Sequence, residues 1–397
     1  MLASDKLLPA VEPASSPQQI ASPAFDLLIE GGTVVDPGQG IHALMDVAVK
    51  DGKIVEVSKG IAKERAAKVV SAKDKIVTPG FIDIHAHCFD GVGIGMVADH
   101  FCLGRGVTTM VDAGSAGYAT FGNLRKYIIN TSATRIVALV NIGAIGTAMG
   151  PGALMNLDWV NPQLTAKTAM NNKPVVVGIK IQLSKVISGP TDMECLTRAV
   201  QAAEMAQLPL MVHADDSYSP LPGILKMLRK GDTYTHCYNN HTHGILDADG
   251  KILPEALEAR ERGIFFDPAQ GQGHLSFEVA EKCFQQNFLP DTISTDLTVV
   301  TAERRVYDLP TMVSKFMALG LDLDKAIKMV TATPARIFDY GAQIGTLHVG
   351  SEADIGIFEV RDGKFEFEDG VGGKRTGRQM LVNTDVVRRG QLIVNAV

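Results

Sequence analysis

The sequence PGFIDIHAH (residues 79–87) decides more about this chain than any other stretch. Its apolar residues, 81–84, are typical of a strand that is buried within a sheet. Side chains on a strand repeat every second position, so the imidazoles of His85 and His87 point to the same side. Two imidazoles that converge at the end of a buried strand make half of a divalent-metal site. A His-x-His pair by itself also fits two hydrogen-bonded polar residues, so the rest of the chain has to decide.

The composition is that of a compact enzyme. The 397 residues are 46% hydrophobic and 21% charged and include 39 glycines, which fits a well-buried α/β protein with many tight turns. The net charge of −6 and the lack of a Lys/Arg block argue against nucleic acid or an anionic membrane as a partner. No apolar run approaches the roughly 20 residues of a membrane span. The five cysteines show no paired spacing, which predicts reduced thiols in a cytoplasmic protein.

Both ends of the chain have the pattern of short strands and turns. Residues 1–24 contain four prolines and lack the apolar core of a secretory signal, so they are predicted to be a flexible tail. Asp51-Gly52 and Asp362-Gly363 follow apolar, strand-like runs and predict hairpin turns. Residues 25–78 and 343–397 are therefore predicted to form one small β-sandwich domain that is assembled from both termini.

The middle of the chain, residues 79–342, alternates apolar strands with amphipathic helices. Eight strands are predicted, at 81–84, 107–111, 135–141, 175–182, 209–212, 233–236, 264–267 and 292–296. Eight strand–helix units over roughly 260 residues have the size of a (β/α)8 TIM barrel. The alternative, an open doubly wound sheet, would normally show a Gly-rich phosphate turn after its first strand, and none is present.

Metal-binding side chains stand at the ends of these predicted strands. In a barrel of this kind, reactive residues lie at the carboxyl ends of the strands. The candidates are His85, His87, Lys180, His213, His236 and Asp296. Each follows apolar strand sequence, and each is, or can become, a metal ligand. Six such residues at equivalent positions predict one common site.

The motif at 79–87, followed by strand-end Lys, His, His and Asp, resembles the amidohydrolase superfamily. The resemblance covers about residues 25–395, because this family also carries a β-sandwich made from both chain ends. Residues 331–335 resemble the family's penultimate helix, and residues 345–354 resemble its return into the sandwich. Within the superfamily, the chain looks most like a bacterial deacetylase group that is similar to dihydroorotases and adenine deaminases.

The resemblance implies a pair of divalent metal ions. His85, His87 and Asp296 would bind a buried ion, and His213 and His236 a more exposed one. Two ions about 3.5–4 Å apart share a bridging water and lower its pKa towards neutrality. Asp296 would accept the proton of that hydroxide and deliver it to the leaving group. Zinc fits the His-rich set best, and other first-row metals stay open.

Lys180 would bridge the two ions as N6-carboxylysine, a carbamate formed with CO2. Burial near metals favours the neutral, reactive form of a lysine amine, and the carbamate offers two oxygens. Considered alone, a lysine at a strand end is more often an ion-pair partner, so that alternative stays open here.

Two further groups of residues lie near the predicted mouth of the barrel. His274 and Gly273 come just after the seventh predicted strand and are predicted to contact the substrate, because glycines let backbone approach a ligand closely. His241-Thr242-His243 repeats the spacing of the first histidine pair but follows polar residues. These two histidines are interpreted as part of a loop near the mouth, and a contact with substrate is the alternative.

Such a site would fix the type of reaction and leave the substrate open. Dihydroorotases typically carry an arginine two positions after the second histidine, and here that residue is Phe89. We therefore rank hydrolysis of an N-acyl or O-acyl group of a small molecule first, cyclic-amide hydrolysis second and purine deamination third. A non-catalytic scaffold is the alternative of another class, and the complete ligand set argues against it. A homo-oligomer would be usual for the family.

Overall fold

The computed structural model describes residues 23–341 and 343–393. The predicted tail, residues 1–24, lies almost entirely outside this part of the chain. Within the described residues, no helix has both the length and the apolar character that crossing a bilayer requires. All five cysteines are buried as free thiols, in agreement with the prediction of reduced cysteines.

Strands and helices follow one another in the order that the sequence predicts. The strands are β1 Leu27–Asp36, β2 Ile41–Lys50, β3 Lys53–Ser58, β4 Val69–Ser71, β5 Ile76–Pro79, β6 Phe81–Ala86, β7 Val107–Gly117, β8 Arg135–Asn141, β9 Val176–Leu183, β10 Leu210–Ala214, β11 Thr233–Thr235, β12 Phe265–Asp267, β13 Ile355–Glu368, β14 Lys374–Arg388 and β15 Gln391–Ile393. The α-helices are α1 Ala98–Phe101, α2 Phe121–Leu124, α3 Pro162–Asn171, α4 Asp192–Ala206, α5 Leu221–Met227, α6 Pro254–Glu261, α7 Phe277–Gln285, α8 Leu309–Ala318, α9 Leu323–Val330 and α10 Ala332–Ile337.

Strands from the two ends of the chain form one sheet, separate from the central one. Its order is β15-β14-β13-β5-β1-β2-β3, and β4 pairs with another part of β1. β13 pairs antiparallel with β5, which joins the C-terminal strands to the N-terminal ones. A β-domain assembled from both termini is therefore confirmed as a single hydrogen-bonded sheet, and its two-layer sandwich form stays a prediction.

Only one of the two predicted Asp-Gly turns forms. Asp51 and Gly52 connect β2 with β3, and both have positive φ (48° and 73°), as a two-residue hairpin turn requires. The turn predicted at Asp362-Gly363 is wrong, because β13 continues to residue 368 with an irregularity after Asp362. The chain reverses at 369–373 instead, where the Asp369 carboxylate accepts backbone hydrogen bonds from Val371 and Gly373.

The central sheet is parallel and has the order β12-β11-β10-β9-β8-β7-β6. Its first two strands, β6 and β7, are buried over their whole length, because helices and neighbouring segments cover both faces of a parallel sheet. A large apolar core packs between this sheet and the helices, and it includes Phe358 from the terminal sheet, stacked on Phe81 at 4.5 Å. Seven of the eight predicted strands are therefore confirmed.

The predicted eighth strand, 292–296, does not form as a regular strand. The segment nevertheless lies beside β6, because Asp296 N donates to His85 O at 2.6 Å and His87 N donates to Leu297 O at 2.9 Å. On its other side, Gly271 N donates to Thr295 O at 3.0 Å. Asp296 has φ 51°, which lies outside the strand region and interrupts the ladder at this residue.

Candidate metal centre

The structure brings the six predicted ligands together in three close pairs, and all six residues are buried. Lys180 Nζ lies 3.1 Å from His85 Nε2. His87 Nε2 lies 3.2 Å from the Asp296 carboxylate. His213 Nδ1 lies 2.9 Å from His236 Nε2. His85 also links two of these pairs, since its Nε2 is 3.5 Å from Asp296.

The ring of His85 is oriented by a chain of polar residues beneath it. His85 Nδ1 lies 2.9 Å from the hydroxyl of Thr235, and that hydroxyl donates its own hydrogen to Asp267 at 2.7 Å. The hydroxyl can therefore only accept from His85, so Nδ1 carries the proton. His85 Nε2 is left as a lone pair that points at Lys180 and Asp296. Metal-binding histidines typically donate the proton of their other ring nitrogen to an oxygen in this way.

Two unprotonated ring nitrogens, of His213 and His236, face each other at a distance that suits binding of a cation. His236 Nδ1 lies 2.7 Å from Ala269 O, and His213 Nε2 contacts the Asp215 carboxylate. Since a carbonyl and a carboxylate only accept, both of these nitrogens are protonated. Burial lowers the pKa of both rings, so both are neutral and two lone pairs face each other at 2.9 Å. A divalent ion between them removes this repulsion, and the donor set fits such an ion.

Lys180 has no acidic partner among the residues that the structure describes. Its amine contacts His85 Nε2 and, at 3.5 Å, Met211 Sδ, and it forms no salt bridge with any carboxylate of the described residues. Burial lowers the pKa of Lys180 to about 8, although the carboxylates of Asp296 and Asp267 oppose this shift. The alternative of a simple ion-pair lysine is therefore not what the structure contains.

Two of the predicted ligands occupy strained backbone. His236 has φ 63° and Asp296 has φ 51°, in the left-handed region that non-glycine residues rarely adopt. Strain of this kind is concentrated at functional sites, where the surrounding structure holds it in place. Burial would raise the pKa of Asp296, but contact with His87 outweighs this and lowers it, so the side chain stays a carboxylate.

The sequence interpretation missed Asp215, which orients His213. Asp215 is buried, and its other carboxylate oxygen, Oδ2, lies 2.9 Å from His274 Nδ1 and 3.6 Å from His241 Nε2. Burial opposes ionisation, but His213 and His274 hold the pKa of Asp215 well below its usual value. The two-residue spacing from His213 to Asp215 is a signal that could have found it. Ser115, 2.9 Å from His87 Nδ1, has no such signal.

The predicted substrate residues lie in the loop after β12. The ring of His274 packs against the rings of His236 and His213, with centroid distances of 4.2 Å and 5.1 Å. Gly273 lies instead against Gly370 of the β13–β14 turn, so closely that a Cβ on Gly370 would be 2.9 Å from Gly273 Cα. Contact of either residue with substrate stays a prediction.

Comparison with known proteins agrees with this geometry. The sequence profile of the Amidohydrolase family matches residues 76–371. The chain belongs to the amidohydrolase family. A protein named Deacetylase from Enterococcus faecalis is 32% identical over 377 residues, which cover 94% of this chain and all of the relative. The resemblance seen in the sequence is therefore confirmed, and this family member is a hydrolase that acts on carbon–nitrogen bonds.

Two solved amidohydrolase-type structures are similar over almost the whole chain. An adenine deaminase superposes with a TM-score of 0.87 and 31% identity and covers 93% of this chain and 99% of its own. A dihydroorotase superposes with a TM-score of 0.84 and 28% identity and covers 92% and 97%. Because relatives with three different activities are comparably similar, likeness alone does not assign the substrate.

Proposed function

We propose that this amidohydrolase is a binuclear metal-dependent hydrolase that cleaves an N-acyl or O-acyl bond, of the acetyl type, in a small molecule. The observation that carries this proposal is the facing lone pairs of His213 and His236, each ring being fixed by a partner on its other nitrogen. A second group of donors, around His85 and Asp296, provides for a second ion. The relatives named deacetylase favour acyl groups over other substrates of the family.

Each ligand residue has a role in this proposal, and Asp296 has two. His85, His87 and Asp296 would hold the buried ion, and His213 and His236 would hold the exposed one, with zinc as the best match to the donors. Lys180 would contribute carbamate oxygens to both ions: its neutral amine forms an N–C bond with CO2 and releases one proton to solvent, and no described carboxylate forms a salt bridge with it. When bound, the two ions supply an acidified water and polarise the scissile carbonyl. Asp296 takes the proton and delivers it to the leaving group.

The surroundings of the centre complete the proposal. His274 and Gly273 contact the substrate from the loop after β12. Segment 292–297 closes the seven strands into a barrel. The predicted boundary at 78/79 falls inside β5, whose Pro79 pairs with Ile355 of the terminal sheet, so the barrel begins one residue later, and the boundary at 342/343 stays a prediction. We further propose a cytoplasmic homo-oligomer with small-molecule substrates only.

A second candidate is hydrolysis of a cyclic amide or deamination of a purine. The similarity to the dihydroorotase and adenine deaminase structures favours it. Against the dihydroorotase activity, the position two residues after His87 holds Phe89, a buried apolar side chain, where an arginine would bind a substrate carboxylate.

A hydrolysis screen with zinc-loaded protein tests the proposal. The panel contains N-acyl amino acids, acylated hydroxy acids, cyclic ureides and adenine, and bound metal is measured in the same preparation. We expect turnover of an acyl compound and two bound ions per chain. Turnover of only a cyclic ureide or adenine would favour the second candidate, and protein that binds no metal under these conditions would contradict both.

A further inference from the structure

The second His-x-His pair of the sequence, His241 and His243, is not used by the proposed metal pair. Both residues lie in the loop between β11 and α6, but their surroundings differ. His243 Nδ1 lies 3.0 Å from the backbone oxygen of Ser217. His241 Nε2 faces Asp215 Oδ2 at 3.6 Å. Only His241 therefore joins a group of possible ligands.

That group, which we name the rim cluster, consists of Asp215, His241 and His274. Its ligand atoms all lie within 4.8 Å of one another. Asp215 Oδ2 is 2.9 Å from His274 Nδ1 and 3.6 Å from His241 Nε2. Two ligand atoms that each lie about 2.0–2.1 Å from a zinc ion, at a tetrahedral angle, are ~3.3 Å apart. One of the two measured distances is slightly shorter than this separation and the other is slightly longer. The rim cluster thus has three ligands near the spacing that one ion needs.

A second observation points to a ligand at the rim cluster. His274 Nδ1 is buried, and its partner among the described residues is Asp215 Oδ2 at 2.9 Å, a contact that pairs the two side chains without meeting hydrogen-bond geometry. A buried nitrogen whose contact falls short of a hydrogen bond is incompletely satisfied. A cation between His274 and Asp215 would be bound by both side chains and would satisfy this nitrogen fully.

The rim cluster is held in place by its neighbours. The His241 backbone N–H donates to Asn239 Oδ1 at 3.0 Å, and the buried Asn239 amide donates to His236 O at 2.8 Å. The loop is thereby fixed to the end of β11. Asp215 uses one oxygen for His213 and presents the other to the rim cluster, so one carboxylate serves both sites.

We infer that the rim cluster is a third cation site, which takes a divalent transition metal such as zinc. Three protein ligands leave a fourth position open to water. The site goes beyond the proposed function, since its ligands do not depend on which bond the enzyme cleaves. Occupation would withdraw His274 from the substrate, so excess metal inhibits turnover. Repulsion from the metal pair makes this the weakest of the three ions.

Zinc titration of the metal-free full-length chain, followed by equilibrium dialysis and elemental analysis, tests the inference. We expect three bound ions in the unmodified protein, the third being the first that a dilute chelator removes. His241→Ala is expected to bind two ions. His243→Ala, the matched control from the same loop, is expected to bind three. Inhibition by excess zinc should require about tenfold more metal in His241→Ala than in His243→Ala.

The same titration separates this inference from the proposed metal pair. If the unmodified chain binds one ion and His241→Ala binds none, the rim cluster is supported and the pair is contradicted. If His241→Ala binds as many ions as the unmodified chain, the third site is overturned. Loss of an ion in His243→Ala but not in His241→Ala would overturn it as well.

Discussion

Gly114 and Lys180 approach so closely that a Cβ on Gly114 would lie 2.7 Å from both Cβ and Cγ of Lys180. Gly114 lies in β7, and Lys180 lies in β9, two strands away. The φ of Gly114, 82°, lies in the region that glycine adopts without strain. The absent side chain at 114 therefore makes the room that the lysine stem needs to reach the centre.

Gly114→Ala is expected to displace Lys180 and to lower both bound metal and activity. The strained backbone should also lower the free energy of unfolding by about 1–2 kcal/mol. Metal analysis together with urea unfolding measures both effects. Gly122→Ala, where no atom lies within 4 Å of the added Cβ, is the matched control and should change neither. Normal metal content in Gly114→Ala would contradict the steric role.

Lys180→Ala removes the proposed carbamate and its two oxygens. Activity is expected to fall by a factor on the order of 100 or more, because the bridged ions stabilise the transition state by several kcal/mol. Acetate or another small carboxylic acid should restore part of it. Lys185→Ala, which removes an exposed lysine paired with Asp216, is the control. Full activity of Lys180→Ala would rule out the carbamate.

Asp296→Asn keeps the shape of the side chain but removes its ability to accept a proton. We expect kcat to fall by about 100- to 10,000-fold, while bound metal stays largely in place because an amide oxygen can still ligate. Steady-state kinetics and elemental analysis on one preparation give both numbers. Retained turnover would remove Asp296 from proton transfer, whereas complete loss of metal would make it a ligand only.

Asp215→Asn weakens the orientation of His213, since the charged acceptor of its Nε2 proton is lost. The affinity for the exposed ion should decrease by about 10- to 100-fold, as is usual for residues that orient a metal ligand. Competition with a chelator measures this affinity. Asp216→Asn changes an adjacent, exposed carboxylate that pairs with Lys185 and should leave it unchanged. Equal affinities in the two variants would contradict the orienting role.

Lys315 makes stability depend on pH. Its buried amine donates to Gln270 Oε1 at 2.7 Å and to Glu368 O at 2.9 Å, and burial lowers its pKa to about 7, although Asp369 and Glu368 oppose this shift. In the unfolded chain the lysine stays protonated up to about pH 10. Between pH 7 and about pH 10 the unfolded state binds more protons than the folded state. The contribution of Lys315 to the free energy of unfolding therefore rises with pH over this range. The slope is at most about 1.4 kcal/mol per pH unit.

Urea unfolding at several pH values between 7 and 9 measures this slope. Lys315→Met should have a smaller slope than the unmodified protein, because it lacks the titrating amine. Lys374→Met, which removes an exposed lysine paired with Glu366, should keep the original slope. A slope that is the same in all three proteins would show that Lys315 is charged in the folded state.

The sequence predicted those features that depend on local periodicity. Alternation along strands placed His85 and His87 on one side, and apolar runs predicted seven parallel strands within a few residues of their ends. The failures have local causes as well. The segment at 292–296 has the composition of a strand, but the positive φ of Asp296 interrupts it. Asp362-Gly363 favours a turn, but the chain turns at 369–373, where the Asp369 side chain accepts backbone hydrogen bonds.

By itself, then, the sequence determined which residue types stand at the strand ends, and with them the family and the proposed metal ligands. Only the tertiary structure decided what each ligand faces. The two-residue spacing from His213 indicates Asp215. Thr235, however, orients His85, and Gly114 admits Lys180, and neither of these pairs shares a strand. Such contacts depend on the distance between atoms from different segments, which strand pairing fixes and residue order does not contain.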